Sequence, residues 1–120
     1  MITLEVKIQQ QVMKKLILKI FMTKYVFEIL DKTKRKIHLS KERWKHITLP
    51  SSLHSYMTNY LEEIKQTLIK PDKIIQSINN DSKVNYYKYY KERKQYLKTI
   101  VKYLNGNGFV ITSYFIKNIS

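Results

Sequence analysis

The sequence predicts an α+β domain in which helices pack on one face of an antiparallel sheet. Apolar side chains recur at helical spacing between residues 53 and 68, and three later runs have the composition of strands. The last two runs are joined by Asn105-Gly106-Asn107-Gly108, and Asn-Gly pairs accept the positive φ angles of tight hairpins. Because the helices precede the strands, we expect an N-terminal hairpin or extension, two helices and then an antiparallel sheet of about four strands.

Residues 1–21 carry two conflicting patterns. Alternation typical of a strand is found at Ile2, Leu4, Val6 and Ile8, and spacing typical of a helix at Val12, Leu16 and Ile20. We therefore treat residues 1–21 as an N-terminal extension of undecided structure. Residues 22–120 are expected to form one domain, since a chain of this length builds a single core.

The segment after the extension predicts a β-hairpin and a short helix. Residues 24–30 are rich in β-forming side chains, residues 31–36 make a basic tip, and residues 37–39 resume a strand. Ser40 is a good N-cap for a helix that begins at the following residue and that Pro50 ends.

A second, longer helix is expected after Ser51 or Ser52, either of which could cap it. Its apolar face is formed by Leu53, Tyr56, Met57, Tyr60, Leu61, Ile64 and Leu68. Pro71 ends this helix, and a short turn follows. The three strands of the final meander are then predicted at residues 83–90, 95–104 and 109–116.

Side-chain alternation predicts which residues of the last two strands face the helices. On the final strand the helix-facing set is Phe109, Ile111, Ser113 and Phe115, and the opposite set is Val110, Thr112, Tyr114 and Ile116. On the preceding strand Lys98 and Lys102 share one face. If that is the open face, the two cations lie beside the hydroxyl of Thr112 and the phenol of Tyr114.

The charge of the chain indicates a polyanionic partner. Lys and Arg number 23 against 9 Asp and Glu, which gives a net charge of +14 and a pI near 9.9. Between Lys83 and Lys102, six lysines and one arginine face one glutamate, and five tyrosines and other apolar residues interleave with them. Cations neutralise phosphates and rings stack on bases, so RNA is the expected partner.

Several classes of protein are excluded by composition. The chain has no cysteine, which rules out a disulfide framework, a thiolate metal site and a cysteine nucleophile. Its three histidines and few acids form no tight cluster in the sequence, so we expect neither a metal nor another cofactor. No apolar run approaches the roughly 18 residues that span a bilayer, and no signal-peptide cleavage site is found, which favours the cytoplasm and no membrane partner.

Candidate catalytic groups are found on the short helix. Arg43 and His46 are three residues apart and therefore share a side of it, where they could hold and protonate a phosphate. His38 and His54 are separate candidates, and His38 could reach the same cleft as His46. RNA cleavage without metal needs only a base, an acid and donors that stabilise the phosphorane oxygens.

The order of motifs along the chain resembles a known nuclease group. The motifs are Ile37-His38-Leu39, Arg43-Trp44-Lys45-His46-Ile47, Ile69-Lys70-Pro71-Asp72-Lys73-Ile74, Tyr86-Tyr87-Lys88, Tyr96-Leu97-Lys98-Thr99-Ile100-Val101-Lys102 and Phe109-Val110-Ile111-Thr112-Ser113-Tyr114. In this order, over about residues 24–118, they resemble the phage- and mobile-element-associated branch of the barnase/EndoU/colicin/RelE-like nuclease superfamily. Each motif is weak alone, and the ordered set carries the resemblance.

The resemblance implies two helices followed by a four-stranded antiparallel sheet and a metal-independent endoribonuclease. By position it casts His46 as general acid or base, and Arg43 and Lys102 as cations that neutralise the scissile phosphate. Thr112 would donate to a phosphate oxygen, and Tyr114 would do likewise or stack on a base. The residues expected to bind RNA are Lys98, Tyr87, Lys88, Arg93 and His38, the last also a candidate second proton carrier.

Three functions are compatible with this sequence. The leading one is a ribonuclease that leaves cyclic-phosphate ends, as a toxin of a toxin–antitoxin pair or an effector of a mobile element. The second is a module that holds RNA or DNA without cutting it. The third is a basic interaction subunit that binds an acidic protein such as an antitoxin or immunity protein.

Overall fold

Six strands form one sheet in the computed structural model, which describes residues 7–14 and 24–119. In chain order the elements are β1 (Tyr25–Leu30), β2 (Lys36–Ser40), α1 (Lys41–Thr48), a 3-10 helix (Ser55–Asn59), α2 (Leu61–Ile69), β3 (Lys73–Gln76), β4 (Lys83–Tyr90), β5 (Gln95–Leu104) and β6 (Asn107–Ile116). The strand order across the sheet is β1-β2-β6-β5-β4-β3. The predicted α+β class is confirmed.

The predicted antiparallel sheet of about four strands is matched in part: β3 to β6 pair antiparallel, but the whole sheet has six strands and is mixed. The β1–β2 hairpin joins the sheet through a parallel pair in which Ile37 lies opposite Gly108 and His38 opposite Phe109. A sixth strand, β3, pairs with β4 where only a turn was expected. The first pairing joins segments that are far apart in the sequence, and the second depends on the neighbouring strand β4. Local composition therefore did not indicate either of them.

The predicted helices are confirmed in part. α1 begins as expected, with the Ser40 hydroxyl accepting a hydrogen bond from the backbone N–H of Arg43 at 3.0 Å. The predicted long helix is instead a 3-10 helix followed by α2, because Tyr60 has φ −123° and ψ 25°, outside the helical range. Ser52 caps only a turn, since its hydroxyl accepts from the backbone N–H of His54.

The β5–β6 hairpin follows its turn residues closely. Asn105 and Gly106 have φ values of 53° and 83°, the left-handed pair that a two-residue hairpin turn needs. A β-bulge then shifts the register of β6, since Ile100 lies opposite Thr112 whereas Val101 lies opposite Val110. The bulge inserts Ile111 as an extra residue.

Because of the bulge, the faces predicted for the first part of β6 are wrong. Val110 is buried at 1% exposure on the core side, whereas Phe109 lies opposite Lys102 on the open face. Past the bulge the prediction is right: Ser113 and Phe115 are buried, and Thr112 and Tyr114 are on the other face.

The core lies between the helices and one face of the sheet. Its buried residues are Phe27, Ile37, Leu39, Ile47, Met57, Ile64, Leu68, Val84, Tyr86, Leu97, Val101, Val110 and Phe115. Thr99 and Ser113 are buried within the same layer and share a hydrogen bond of 2.9 Å. Among the described residues, no helix packs on the opposite face of the central strands, which we name the open face.

A buried carboxylate ties the β1–β2 hairpin to the sheet. Asp31 is 3% exposed and accepts hydrogen bonds from the backbone N–H groups of Thr33 and Arg35, each at 2.9 Å. It also accepts from the hydroxyls of Thr33 and Tyr86, the latter on β4. Tyr86 in turn is hydrogen-bonded to the hydroxyl of Tyr103 on β5. The hairpin is thereby fixed against two strands that are far away in the sequence.

Residues 7–14 are helical, and each of them is exposed. The helical spacing predicted from Val12 agrees with this stretch, whereas Ile8 is helical rather than part of a strand. The other positions of the two patterns lie outside the described residues. Within 7–14 and 24–119, no helix is long and apolar enough to cross a membrane.

Candidate active site

Three neighbouring strands place two rings and one cation side by side on the open face. Lys98 on β5 lies opposite Tyr87 on β4 and opposite Tyr114 on β6. Its ammonium nitrogen is 5.8 Å from the ring centroid of each tyrosine. Tyr87 is only 2% exposed, whereas Lys98 and Tyr114 are half-buried, so the cation is held within an aromatic surface.

A histidine from the segment before the 3-10 helix completes this group. The imidazole of His54 stacks on the ring of Tyr114, with centroids 4.6 Å apart and planes 12° from parallel. The segment is held at the outer edge of β6, where the backbone N–H of Phe115 donates to the hydroxyl of Tyr56 at 3.1 Å. We name His54, Tyr87, Lys98 and Tyr114 the open-face cluster.

The open face continues from this cluster toward the β5–β6 turn. Thr112 lies opposite Ile100, and Lys98 and Lys102 flank Ile100 two residues away on each side. With a rise of about 3.3 Å per residue, the two lysine backbones are about 13 Å apart. The hydroxyl of Thr112 therefore lies beside the midpoint between Lys98 and Lys102. These three groups can contact successive phosphates of one nucleic-acid strand.

His38 occupies the far side of the same face. Its ring stacks on Tyr25 at 4.1 Å between centroids and lies 6.0 Å from the ring of Phe109. Burial lowers the pKa of His38, and the nearby carboxylate of Glu28 only partly offsets this. The neutral form of this imidazole is therefore favoured, and that form can accept a proton.

Arg43 and His46 form a separate patch on α1. Together with Ser40 and Glu42 they line a cavity of about 250 Å³. Both side chains are exposed, and the imidazole of His46 is 3.9 Å from the carboxylate of Glu42. Among the described residues, no hydrogen bond or ion pair links either side chain to Lys102, Thr112 or Tyr114.

Lys88 and Arg93 lie on the helix side of the sheet, away from the open-face cluster. The ammonium of Lys88 donates to the backbone carbonyl of Lys70 at the end of α2 at 3.0 Å. The guanidinium of Arg93 lies over the ring of Phe115 at 4.3 Å. Of the five residues predicted to bind RNA, the structure therefore places Tyr87, Lys98 and His38 on the open face and these two elsewhere.

The comparison with known families identifies the group. The family model described as "phage-Barnase-EndoU-ColicinE5/D-RelE like nuclease2" matches residues 28–120. The chain belongs to this nuclease family. The resemblance predicted from the ordered motifs is confirmed, and nuclease activity in general is supported. No curated protein and no solved structure matches the chain significantly.

In this member of the phage-Barnase-EndoU-ColicinE5/D-RelE like nuclease2 family, the sequence did not predict that His54 would lie against Tyr114. His54 was expected in the first turn of a long helix, where a histidine is more often a surface or capping residue. Because the chain instead forms turns before the 3-10 helix, the imidazole reaches Tyr114. No local sequence signal marks this contact, which joins residues 60 positions apart.

Potential metal ligands are scattered in the described residues of this nuclease family member. Within the described parts of the chain, no three His, Cys, Asp or Glu side chains are grouped so that they could hold a metal ion. The groups that the open face does present are imidazole, ammonium, phenol and hydroxyl. These can move protons and stabilise anionic oxygens.

Proposed function

We propose that the open face binds RNA and cleaves it without a metal ion. The observation that carries the proposal is the open-face cluster, in which an imidazole and an ammonium both lie against the ring of Tyr114. Membership of a nuclease family supports the reaction type, and the net charge of +14 supports a polyanionic substrate.

The proposed reaction is an attack of the ribose 2′-oxygen on the adjacent phosphorus. The bond from the 2′-oxygen to phosphorus forms, the bond from phosphorus to the 5′-oxygen breaks, and a 2′,3′-cyclic phosphate results. His54 takes the proton of the 2′-hydroxyl, since histidine is the side chain suited to proton exchange near neutral pH. A proton from Tyr114 or Lys98 goes to the leaving 5′-oxygen.

The neighbouring residues supply binding and charge stabilisation. Lys98 and the hydroxyl of Thr112 donate to the phosphorane oxygens, and Lys102 binds the next phosphate along the strand. Tyr87, which is only 2% exposed, supports Lys98 from below and does not itself contact a base. Arg43 and His46, predicted as catalytic from the sequence, are proposed as a second phosphate-binding patch, because they are grouped around Ser40 on α1. His38 is kept as the second candidate proton carrier.

Binding without cleavage is the second candidate function. The alternation of rings and cations over β4, β5 and β6 favours it, because single-strand binding proteins combine these two elements. An acidic protein such as an antitoxin could cover the same face and compete with RNA. A role as a toxin or mobile-element effector would follow if the cleaved RNA is one that the cell needs.

Two lysines on opposite faces of the sheet test where RNA binds. Lys98→Ala removes a cation from the open-face cluster, and Lys88→Ala removes one from the helix side, so the net charge changes equally. For Lys98→Ala we expect the slope of log affinity against log salt concentration to fall by about 0.7, the contribution of one phosphate contact on a single strand. Lys88→Ala should leave the slope unchanged. Fluorescence anisotropy with a labelled single-stranded RNA measures both.

The two variants are first compared with the unchanged protein by thermal melting, since Lys88 also bonds the carbonyl of Lys70. Equal slopes for both variants would show that only the total charge matters. A larger loss in Lys88→Ala would place the RNA on the helix side and overturn the proposed face.

A further inference from the structure

A second cleft lies on the helix side of the sheet, at the end where β4 turns into β5. Its volume is about 330 Å³, at the small end of the range for ligand sites. The lining side chains are Tyr60, Glu63, Tyr90, Glu92, Arg93 and Phe115. The cleft thus combines three rings with two carboxylates and one guanidinium, and none of these groups has a part in the proposed cleavage.

One carboxylate oxygen in this cleft lacks a hydrogen-bond donor. Oε2 of Glu63 is buried and has no partner among the described residues. The backbone carbonyl of the same residue, by contrast, accepts from the hydroxyls of Thr67 and Tyr90, each at 2.8 Å. A buried acceptor without a donor is costly, so a ligand that donates to Glu63 gains more than it would from an exposed carboxylate.

The guanidinium of Arg93 provides a flat surface in the same cleft. It lies over the ring of Phe115 at 4.3 Å, and its Nη1 donates to the hydroxyl of Tyr60 at 3.0 Å. The plane of the side chain is held by this stacking and by the hydrogen bond. Nucleobases stack on such guanidinium planes as well as on aromatic rings.

The cleft and the open-face cluster lie on opposite faces of β6, at the part of this strand that runs past its pairing with β2. His54 stacks on Tyr114 on one face of that strand, and Tyr56 stacks on Phe115 on the other, with centroids 6.3 Å apart. Only one residue, Ser55, separates His54 from Tyr56. An RNA strand bound along the open face toward Tyr114 therefore comes to the edge beyond which the cleft lies.

We propose that this cleft binds one nucleobase of the RNA and prefers a base with an exocyclic amino group. The base would stack on Arg93 or an aromatic wall and donate its amino N–H to Oε2 of Glu63. Cytosine offers such a donor to a carboxylate, whereas uracil flanks its one ring N–H with carbonyl oxygens that repel it. This inference rests on the proposed function, since it extends the bound RNA beyond the cleaved phosphate.

Short 2′-O-methyl oligonucleotides of cytidine and of uridine test the proposal. They have no free 2′-hydroxyl and are not cleaved, so binding is measured independently of the reaction. We expect the cytidine strand to bind about tenfold more tightly than the uridine strand, the effect of one hydrogen bond. Glu63→Gln should bring this ratio close to one. Glu62→Gln, whose exposed carboxylate lies one residue away and does not line the cleft, should preserve it.

The mononucleotides cytidine and uridine monophosphate, titrated in NMR, then show whether the cleft takes a free base or only one within a strand. Chemical-shift changes at Tyr90 and Phe115 are expected with the cytidine oligonucleotide, and also with cytidine monophosphate if the cleft takes a free base. Equal affinity for the two bases in the unchanged protein overturns the proposal, as does a ratio that Glu63→Gln leaves intact. A protein that prefers cytidine but cuts no RNA would keep the cleft and lose the proposed cleavage.

Discussion

Replacing His54 by alanine is expected to lower the rate of RNA cleavage by about 10²- to 10⁴-fold, the contribution of a positioned proton carrier. The ring of His54 stacks on Tyr114 beside Lys98. Alanine cannot take the 2′-hydroxyl proton, and the open-face cluster contains no other histidine that could take it instead. RNA affinity should fall far less, because Lys98 and Lys102 still contact the strand. Single-turnover cleavage rates at saturating protein separate these two effects.

His46→Ala is the matched control for this prediction. It removes the same chemical group from an exposed site on α1, beside Glu42 and Arg43. We expect the cleavage step to change little and the affinity to change modestly. A large rate loss in His46→Ala with none in His54→Ala would restore the assignment made from the sequence and would contradict the open-face cluster as the reacting site.

Replacing Asp31 by alanine is expected to lower the free energy of unfolding by about 3–5 kcal/mol. The change leaves the backbone N–H groups of Thr33 and Arg35 without their acceptor, and it leaves the hydroxyl of Tyr86 with only that of Tyr103 as a partner. It also releases the β1–β2 hairpin from β4. Urea denaturation measures the change, and Asp81→Ala, at an exposed loop position, should cost less than about 0.5 kcal/mol.

The same carboxylate predicts a dependence of stability on pH. Burial alone would raise the pKa of Asp31, but hydrogen bonds from Tyr86, Arg35 and Thr33 hold it below its ordinary value of 3.8. Because the pKa is lower in the folded state, the contribution is complete above pH 3.8 and is lost as pH falls toward the folded value. Asp31→Asn should flatten this part of the curve, and an unchanged acid limb would contradict the assignment.

Features set by neighbouring residues could be predicted from the sequence. The bounds of β4 and β5 agree with the predicted runs, and the Asn105-Gly106 turn has the predicted left-handed φ angles. The start of α1 follows from the hydroxyl of Ser40. Each of these depends on local conformational preference or on a side chain that reaches only its own backbone.

Features set by contacts across the fold could not be predicted in the same way. The parallel pairing of β2 with β6 joins residues about 70 positions apart, and no pattern in either strand selects its partner. The bulge at Ile111 changes which face Val110 occupies, and one inserted residue is invisible to an alternation rule. His54 became part of the site only because the turn geometry before Ser55 carries it to β6.

For the candidate site, the sequence predicted the shared face of the strand residues but not the position of His54 beside them. Lys98, Lys102, Thr112 and Tyr114 share the open face as expected, since alternation past the bulge is regular. Lys88 and Arg93 were assigned by charge alone and lie on the other face. Composition predicted a polyanionic partner, which stays a prediction, and only the three-dimensional arrangement divided the cations between the two sides of the sheet.

Incubation of the purified protein with total RNA in EDTA, followed by identification of the new ends, tests the central claim most directly. The account predicts cleavage that EDTA does not stop, 2′,3′-cyclic phosphate ends, and no cutting at a position whose 2′-hydroxyl is replaced by hydrogen. Intact RNA at high protein concentration, or products with 3′-hydroxyl ends that appear only when a divalent metal is added, would contradict it.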